Sequence, residues 1–224
     1  MKKIHKKVKS IEVLSQDSPI RKKYLELHRL KIKNHYPDGS HSKEYHYETI
    51  MRRHLDAVAV LLFEKGTPEQ IILRRTLRPA IAMRVFRDNP TQKQIFPEKE
   101  DPVLLEVVAG LLEENDQGEE GIRSRAVKEI WEEGGLKASV NDLISLGKPI
   151  FPTPGMNPEK IYLYACPVIL SNRVNPPGDG SAVEEIGGLV AFDLNESLIQ
   201  CQKGAIQDAK TEICLYRFQK TLKN

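Results

Sequence analysis

The sequence predicts an α+β or layered α/β/α fold, preceded by an N-terminal β-hairpin. Three observations carry this. Short apolar runs that read as strands recur along most of the chain, only three stretches show helical periodicity, and the two kinds are mixed in order rather than segregated. The chain is long enough for one substantial core with an appended segment: 224 residues, 40% hydrophobic and 29% charged.

About twenty polar residues come first. Tyr24 to Asn34 and Lys43 to Met51 then flank the turn sequence Pro37-Asp38-Gly39-Ser40 and read as a long strand pair. Leu25 and Leu27 lie in one phase and Leu30 and Ile32 in the other, which predicts a bulge or bend between them. Such a hairpin needs a partner to cover it. The run DAVAVLLF, Asp56 to Phe63, reads as a core strand, answered by Gln70 to Leu73 across the turn Gly66-Thr67-Pro68. Further strands are expected at Val103 to Val108, Ile144 to Phe151, Lys160 to Ile169 and Leu189 to Leu194, and Arg84 to Asp101 as a surface loop. Among the helices, Glu119 to Glu133 places Ile122, Ala126 and Ile130 at four-residue steps and stops at Gly134-Gly135. Asn195 opens a short helix ending near Gly204, and Asp208 to Leu222 carries Ala209, Ile213 and Tyr216 on one face. The expected division is residues 1–54 for the extension and hairpin and 55–224 for the main domain.

Several function classes are disfavoured at once. No run approaches the roughly 20 apolar residues that span a bilayer, and the lysine-rich start is not followed by an apolar leader, so the expectation is a cytoplasmic protein without a membrane partner. A net charge of +3 does not make a basic field of nucleic-acid size. Cys166, Cys201 and Cys214 are far apart and odd in number, which reads as packed thiols in a reducing compartment. The six histidines all precede Asp56, and His35, His41 and His46 read as polar hairpin residues rather than zinc ligands.

Chemistry concentrates in Gly110 to Leu136, GLLEENDQGEEGIRSRAVKEIWEEGGL. On a helix Glu129 and Glu133 stand about 40° apart, one turn from each other. Glu132 adds a third carboxylate at the helix C-terminus, where the macrodipole already disfavours negative charge. Such a group calls for a compensating cation, and oxygen-only ligands suit a hard ion, Mg²⁺ or Mn²⁺, that also meets phosphates. The bland reading of the same residues is a solvated Glu-rich face.

These residues resemble the Nudix hydrolase box, G-x5-E-x7-R-E-U-x-E-E-x-G-U with U a bulky apolar residue. Lys128-Glu129-Ile130-Trp131-Glu132-Glu133-Gly134-Gly135-Leu136 matches its second half except that Lys128 replaces arginine. In the first half Gly110 is followed by Glu119 and Glu120 after about three or four extra residues, and either could fill the early acidic position. The resemblance extends to Leu105–Gly110, to RRTLRPAI at Arg74 to Ile81, and to the Pro152-Thr153-Pro154-Gly155 loop that leads to Glu159, all similar to ADP-ribose and nucleotide-sugar pyrophosphatases. HLDAVAVLLF, KEIWEE and AVEE near residue 184 look closest to the UDP-sugar diphosphatase branch.

The resemblance implies an α+β fold built as an α/β/α sandwich with a mixed β-sheet, and hydrolysis of the diphosphate of a small-molecule nucleotide sugar in a homodimer whose hairpin crosses between subunits. It implies metal ligands at Glu129, Glu132, Glu133 and the Ala109 carbonyl. A catalytic carboxylate is expected from Glu132 or from the Gly- and Pro-rich loop holding Glu184 and Glu185. Arg78, Glu106, Gly155 and Glu159 are the expected substrate-binding residues; the bland readings are a strand-end arginine for Arg78 and a solvated loop acid for Glu159. Trp131 falls nearly opposite Glu129 and Glu133 and is expected to pack the helix against a neighbour. The rival reading is a sensor domain that binds a nucleotide sugar without cutting it, although such domains usually lose box glutamates and here all three are present.

Overall fold

The computed structural model describes residues 10–11, 24–32, 43–83, 94–95, 102–177 and 188–223. Their strands are β1 (Ser10–Ile11), β2 (Leu25–Ile32), β3 (Tyr45–Arg52), β4 (Ala57–Glu64), β5 (Thr67–Leu77), β6 (Gln94–Ile95), β7 (Val103–Glu106), β8 (Val108–Leu111), β9 (Ile144–Ser145), β10 (Ile161–Val168) and β11 (Leu189–Asp193). The helices are α1 (Pro79–Ala82), α2 (Gly118–Gly134), α3 (Leu194–Gln202) and α4 (Ala209–Lys223). The turn at Pro37–Ser40, His35, His41, Glu184, Glu185 and most of Arg84–Asp101 lie outside the described residues.

Strand β4 sets the layering. Ala57 to Phe63 are all buried, and alternate side chains go to opposite faces. Ala59, Leu61 and Phe63 pack with Leu198 of α3 and Leu215 and Phe218 of α4, whereas Val58, Val60 and Leu62 pack with Ala126 and Ile130 of α2. A strand covered on both faces has no polar side to show, which accounts for the unbroken apolar run. The main sheet runs β11-β5-β4-β10-β9; β10 is parallel to β4 and its other pairings are antiparallel, so the sheet is mixed and sandwiched between helices as expected.

The expected strand Val103–Val108 is two strands with different partners. β7 pairs with β5, and after Val107 the chain crosses so that β8 pairs with β4. Val107 leaves the ladder, and its N–H is satisfied instead by Thr211 Oγ1 of α4 at 2.9 Å. Of the expected strand Ile144–Phe151 only Ile144–Ser145 pairs regularly; Gly147 turns at φ +96°, and Ile150 returns as a single bridge to Ile161.

The hairpin β2–β3 carries no bulge: its pairing is continuous from Leu25↔Arg52 to Ile32↔Tyr45. The phase change between Leu27 and Leu30 needs no correction, because neither face enters the core and Leu25, Leu27 and Leu30 are all exposed. What holds the hairpin is polar. Ile50 N–H and Thr49 Oγ1 both donate to the Met156 carbonyl, at 2.9 and 2.8 Å, Tyr47 donates to the Gly155 carbonyl, and Arg52 pairs with Glu159.

Helix α4 turns a different face inward than its spacing suggested. Thr211, Cys214, Leu215 and Phe218 are buried, whereas Ala209 and Tyr216 are exposed and Ile213 sits at the edge. Asp208 fixes that phase by accepting from the Thr211 N–H and hydroxyl at 2.9 and 2.6 Å. In α3 the cap is Asp193, which accepts from Glu196 N–H, rather than Asn195. The cysteines are buried free thiols, as expected. Among the described residues no helix is long and apolar enough to cross a membrane.

Helix α2 buries the predicted stripe, with Ala126 and Ile130 fully covered. It ends where Gly135 adopts φ +67°, its N–H returning to the Trp131 carbonyl. A Cβ at Gly135 would also strike the Val174 carbonyl. We expect Gly135→Ala to lower stability by more than the ~1–2 kcal/mol of the left-handed conformation alone. Urea unfolding would show this as a lower midpoint with an unchanged slope.

Candidate active site

The C-terminal turns of α2 lie beside the end of β8, and glycine makes this possible. A side chain at Gly110 would fall onto the Glu129 carboxylate, so the strand backbone and the helix carboxylate occupy adjoining space only because residue 110 has none. Glu133 is held from two sides: Arg74 of β5, itself buried, donates at 2.7 Å, and the Ala109 N–H donates at 3.1 Å. Glu129 is only 8% exposed and accepts from Arg125 at 3.3 Å.

These groups face a hollow of about 460 Å³ that Ala109, Gly110, Glu129, Glu132 and Glu133 line together. A second hollow of about 390 Å³ shares Ala109, Gly110 and Leu111 with it. Its walls carry cations: Arg52, Arg78 and Lys210, with Tyr24, Glu159 and Asp208. Glu106 organises Arg78 and Lys210 from below. Its carboxylate, with 2% of its side chain exposed, pairs with the Arg78 guanidinium and accepts from Lys210 at 2.8 Å, and Lys210 in turn reaches Asp208. Burial works against the charge on Glu106, but Arg78 and Lys210 outweigh it and hold the carboxyl below its ordinary value.

The strand–loop–helix carrying KEIWEEGGL thus sits in a mixed sheet between helices, its carboxylates gathered at a strand end. The GDP-mannose pyrophosphatase of Cronobacter sakazakii (strain ATCC BAA-894) is 29% identical over 165 residues, which cover 70% of this chain and 76% of that protein. The crystal structure of an ADP compounds hydrolase has the same fold over 97% of this chain and 96% of its own, with TM-score 0.59 and 16% identity. One likeness in sequence and one in fold are thus in keeping with the box resemblance carried by residues 128–136. No protein-family model matches the chain.

Within this domain the structure brings Ala109, Glu129, Glu132 and Glu133 to one hollow and Arg78 and Glu159 to its neighbour. Gly155 lines neither, and its carbonyl is taken by Tyr47. Glu106 lies beneath the cations instead of in the open. Trp131 does not pack the helix into the core: it is 37% exposed and lines a separate surface hollow with Leu136 and Val168, because the sheet-facing side of α2 is already filled by Ala126 and Ile130. Sequence reasoning missed His54 and Arg125, which line the acidic hollow, Arg52 and Lys210, which line the cationic one, and Arg74, which holds Glu133. Only Arg125 left a local signal, since it stands one turn before Glu129 on the same helix.

The fit to a divalent ion rests on the donors and on Gly110. The carboxylates are hard oxygen donors, and the missing Cβ at 110 leaves room for Glu129 at the strand end. As they stand, no three acidic, histidine or cysteine side chains among the described residues are gathered at ligand spacing. The electrostatics still record crowding: burial, and then the neighbouring Glu133, push the Glu129 carboxyl up to about 7.

In the unfolded chain that carboxyl titrates near 4.5. Between the two values the folded protein keeps a proton that the unfolded chain has released, so raising the pH destabilises the fold. For the metal-free protein we expect Glu129 to cost at most about 3 kcal/mol between pH 5 and pH 8. Urea unfolding at both pH values should show the loss in wild type and a smaller one in Glu129→Gln; identical losses in the two would put the effect elsewhere.

Proposed function

We propose that the chain hydrolyses the diphosphate linkage of a nucleoside diphosphate sugar, of the ADP-ribose or UDP- and GDP-sugar class, to nucleoside monophosphate and sugar phosphate. One observation carries the reading: an acidic hollow and a cationic hollow share the wall Ala109-Gly110-Leu111, so a ligand that bridges them places its diphosphate at the seam. A molecule with a charged centre and polar groups on either side fits that division better than a nucleoside triphosphate, whose charge lies at one end. The relative named for GDP-mannose pyrophosphatase activity supports the same class.

Glu129, Glu132 and Glu133, with the Ala109 carbonyl, would hold Mg²⁺ or Mn²⁺, which when bound neutralises diphosphate charge and acidifies water. The remaining work falls to the chain itself. Arg74 and the Ala109 N–H fix the Glu133 carboxylate, so its orientation is set before any ligand arrives. Arg78 and Lys210 form a cationic wall whose position depends on Glu106. They orient the phosphates and the sugar beyond them. Glu159, held by Arg52, offers carboxylate oxygen to a sugar hydroxyl. The attacking water still needs a proton acceptor. We assign that role to Glu184 or Glu185, with Glu132, half-exposed at the acidic hollow, as the described candidate.

We also propose a homodimer built through β2–β3. Leu25, Leu27, Leu30 and Tyr45 are exposed on the hairpin although apolar, and the two strands pair only with each other among the described residues.

The sensor alternative has one observation in its favour: Glu129 and Glu133 are both engaged by arginines as they stand. Turnover separates the readings. With a coupling phosphatase, phosphate release from ADP-ribose, UDP-glucose, GDP-mannose and dGTP is measured with and without Mg²⁺. We expect Mg²⁺-dependent turnover of a diphosphosugar and a fall in kcat of at least about 100-fold in Glu133→Gln, more than most supporting groups outside the ligand shell cost. Binding of a diphosphosugar without turnover would establish the sensor.

A further inference from the structure

Arg125 is the most heavily engaged cation on the catalytic helix. It is 5% exposed, and its guanidinium meets three carboxylates from two segments: Nε donates to Asp116 at 2.8 Å, Nη1 to Glu129 at 3.3 Å, and Nη2 pairs with Glu113. Asp116 also accepts from the Glu113 N–H at 2.8 Å, which closes the loop on itself. Lys128, which stands where the box it resembles has arginine, has 51% of its side chain exposed and lies 3.6 Å from Glu132, an ordinary pair one helical turn apart. Glu119 and Glu120 are exposed in the first turn of α2, where the helix dipole alone favours acids.

We propose that Arg125 is the positioning residue of this site, and that Asp116, not Glu119 or Glu120, is the loop acid that it clamps. The guanidinium holds the Glu129 carboxylate beside Gly110 and ties the 113–116 loop to the same helix. Its planar fork serves three oxygens in fixed directions, which the single ammonium of a lysine cannot do. Lys128 keeps a positive charge near the cluster but takes no part in that geometry. The longer lead-in loop is accommodated because the clamp reaches a residue six positions after Gly110, and the extra residues fall between Asp116 and Arg125.

This deepens the metal-dependent reading above and rests on it, so the test reads metal binding apart from turnover. Mn²⁺ affinity without substrate would be titrated for wild type, Arg125→Lys, and the exchange of the two cations, Arg125→Lys with Lys128→Arg, together with kcat and KM for the best diphosphosugar. The expected result is a loss of Mn²⁺ affinity of about tenfold or more in Arg125→Lys, the scale of a group that orients a ligand. The loss should fall on kcat more than on KM, and the exchange should not recover it. Wild-type affinity in a folded Arg125→Lys protein, or recovery by the exchange, would overturn the proposal. If Arg125→Lys does not fold, Asp116→Asn keeps the arginine and Glu129 in place; weakened Mn²⁺ binding then supports the clamp and unchanged binding removes it. A wild type that turns over diphosphosugar yet binds no Mn²⁺ overturns this proposal and the metal assignment together, whereas Mn²⁺ binding without turnover leaves only the hydrolytic reading to fall.

Discussion

Like-charged carboxylates placed close together in a partly buried site repel each other and lose hydration, and most of what surrounds the C-terminal half of α2 answers that problem. Glu129, Glu132 and Glu133 stand at the helix end where the dipole is negative, and Glu129 is almost fully covered. Two arginines from different places oppose this. Arg74 comes across from β5 to Glu133, and Arg125 comes from one turn earlier to Glu129. Gly110, with no side chain, leaves the Glu129 carboxylate its place beside the strand. The raised proton affinity of Glu129, from burial first and Glu133 second, leaves the compensation incomplete, and a proton or a cation in the hollow would complete it.

The sheet makes the two-part site possible by changing partner in mid-strand. Because β7 pairs with β5 and β8 with β4, the residues on either side of Val107 are displaced sideways as well as along the chain. Glu106 ends up beneath Arg78 and Lys210, while Ala109 and Gly110 border the glutamates. An uninterrupted strand would have carried both along one ladder. The cost of the crossing is a backbone N–H without a ladder partner, and Thr211 supplies one from a helix on the opposite side of the chain. The same threonine is fixed by Asp208, which also faces Lys210, so the cap of α4 and the cationic hollow share one carboxylate.

Much of this was legible in residue order because it depends on local pattern. The buried strand at DAVAVLLF, the hairpin, the apolar stripe of α2 and its glycine stop all follow from periodicity and backbone chemistry, and the glutamates at 129, 132 and 133 announce themselves by being too many for one turn. The misreadings come where tertiary packing chooses among equivalent patterns. In α4 either of two faces could have been the buried one, and the Asp208–Thr211 cap and the Val107 contact selected the face of Thr211, Cys214, Leu215 and Phe218. The phase shift in β2 looked like a bulge only on the premise that one face enters a core. Arg74, Lys210 and His54 were invisible because their roles depend on contacts between distant segments, which spacing does not report.

The hairpin shows how far the site reaches beyond the domain core. Arg52, the last residue of β3, pairs with Glu159, donates to the Leu55 carbonyl and reaches the Tyr24 hydroxyl at 3.3 Å, and all but Leu55 border the cationic hollow. The β3 backbone, through Ile50 and Met156, is meanwhile bonded to the loop that carries Glu159. Movement of the hairpin therefore shifts the wall of the hollow through two links at once. None of these links buries appreciable apolar surface, whereas the leucines of β2 remain uncovered. Polar tethers fix direction, but each contributes only about 1 kcal/mol, so most of the stabilisation available to this segment lies in covering its apolar residues. A surface that covered them would also set how firmly Tyr24 and Arg52 stand at the edge of the cationic hollow, without any contact between that surface and the glutamates.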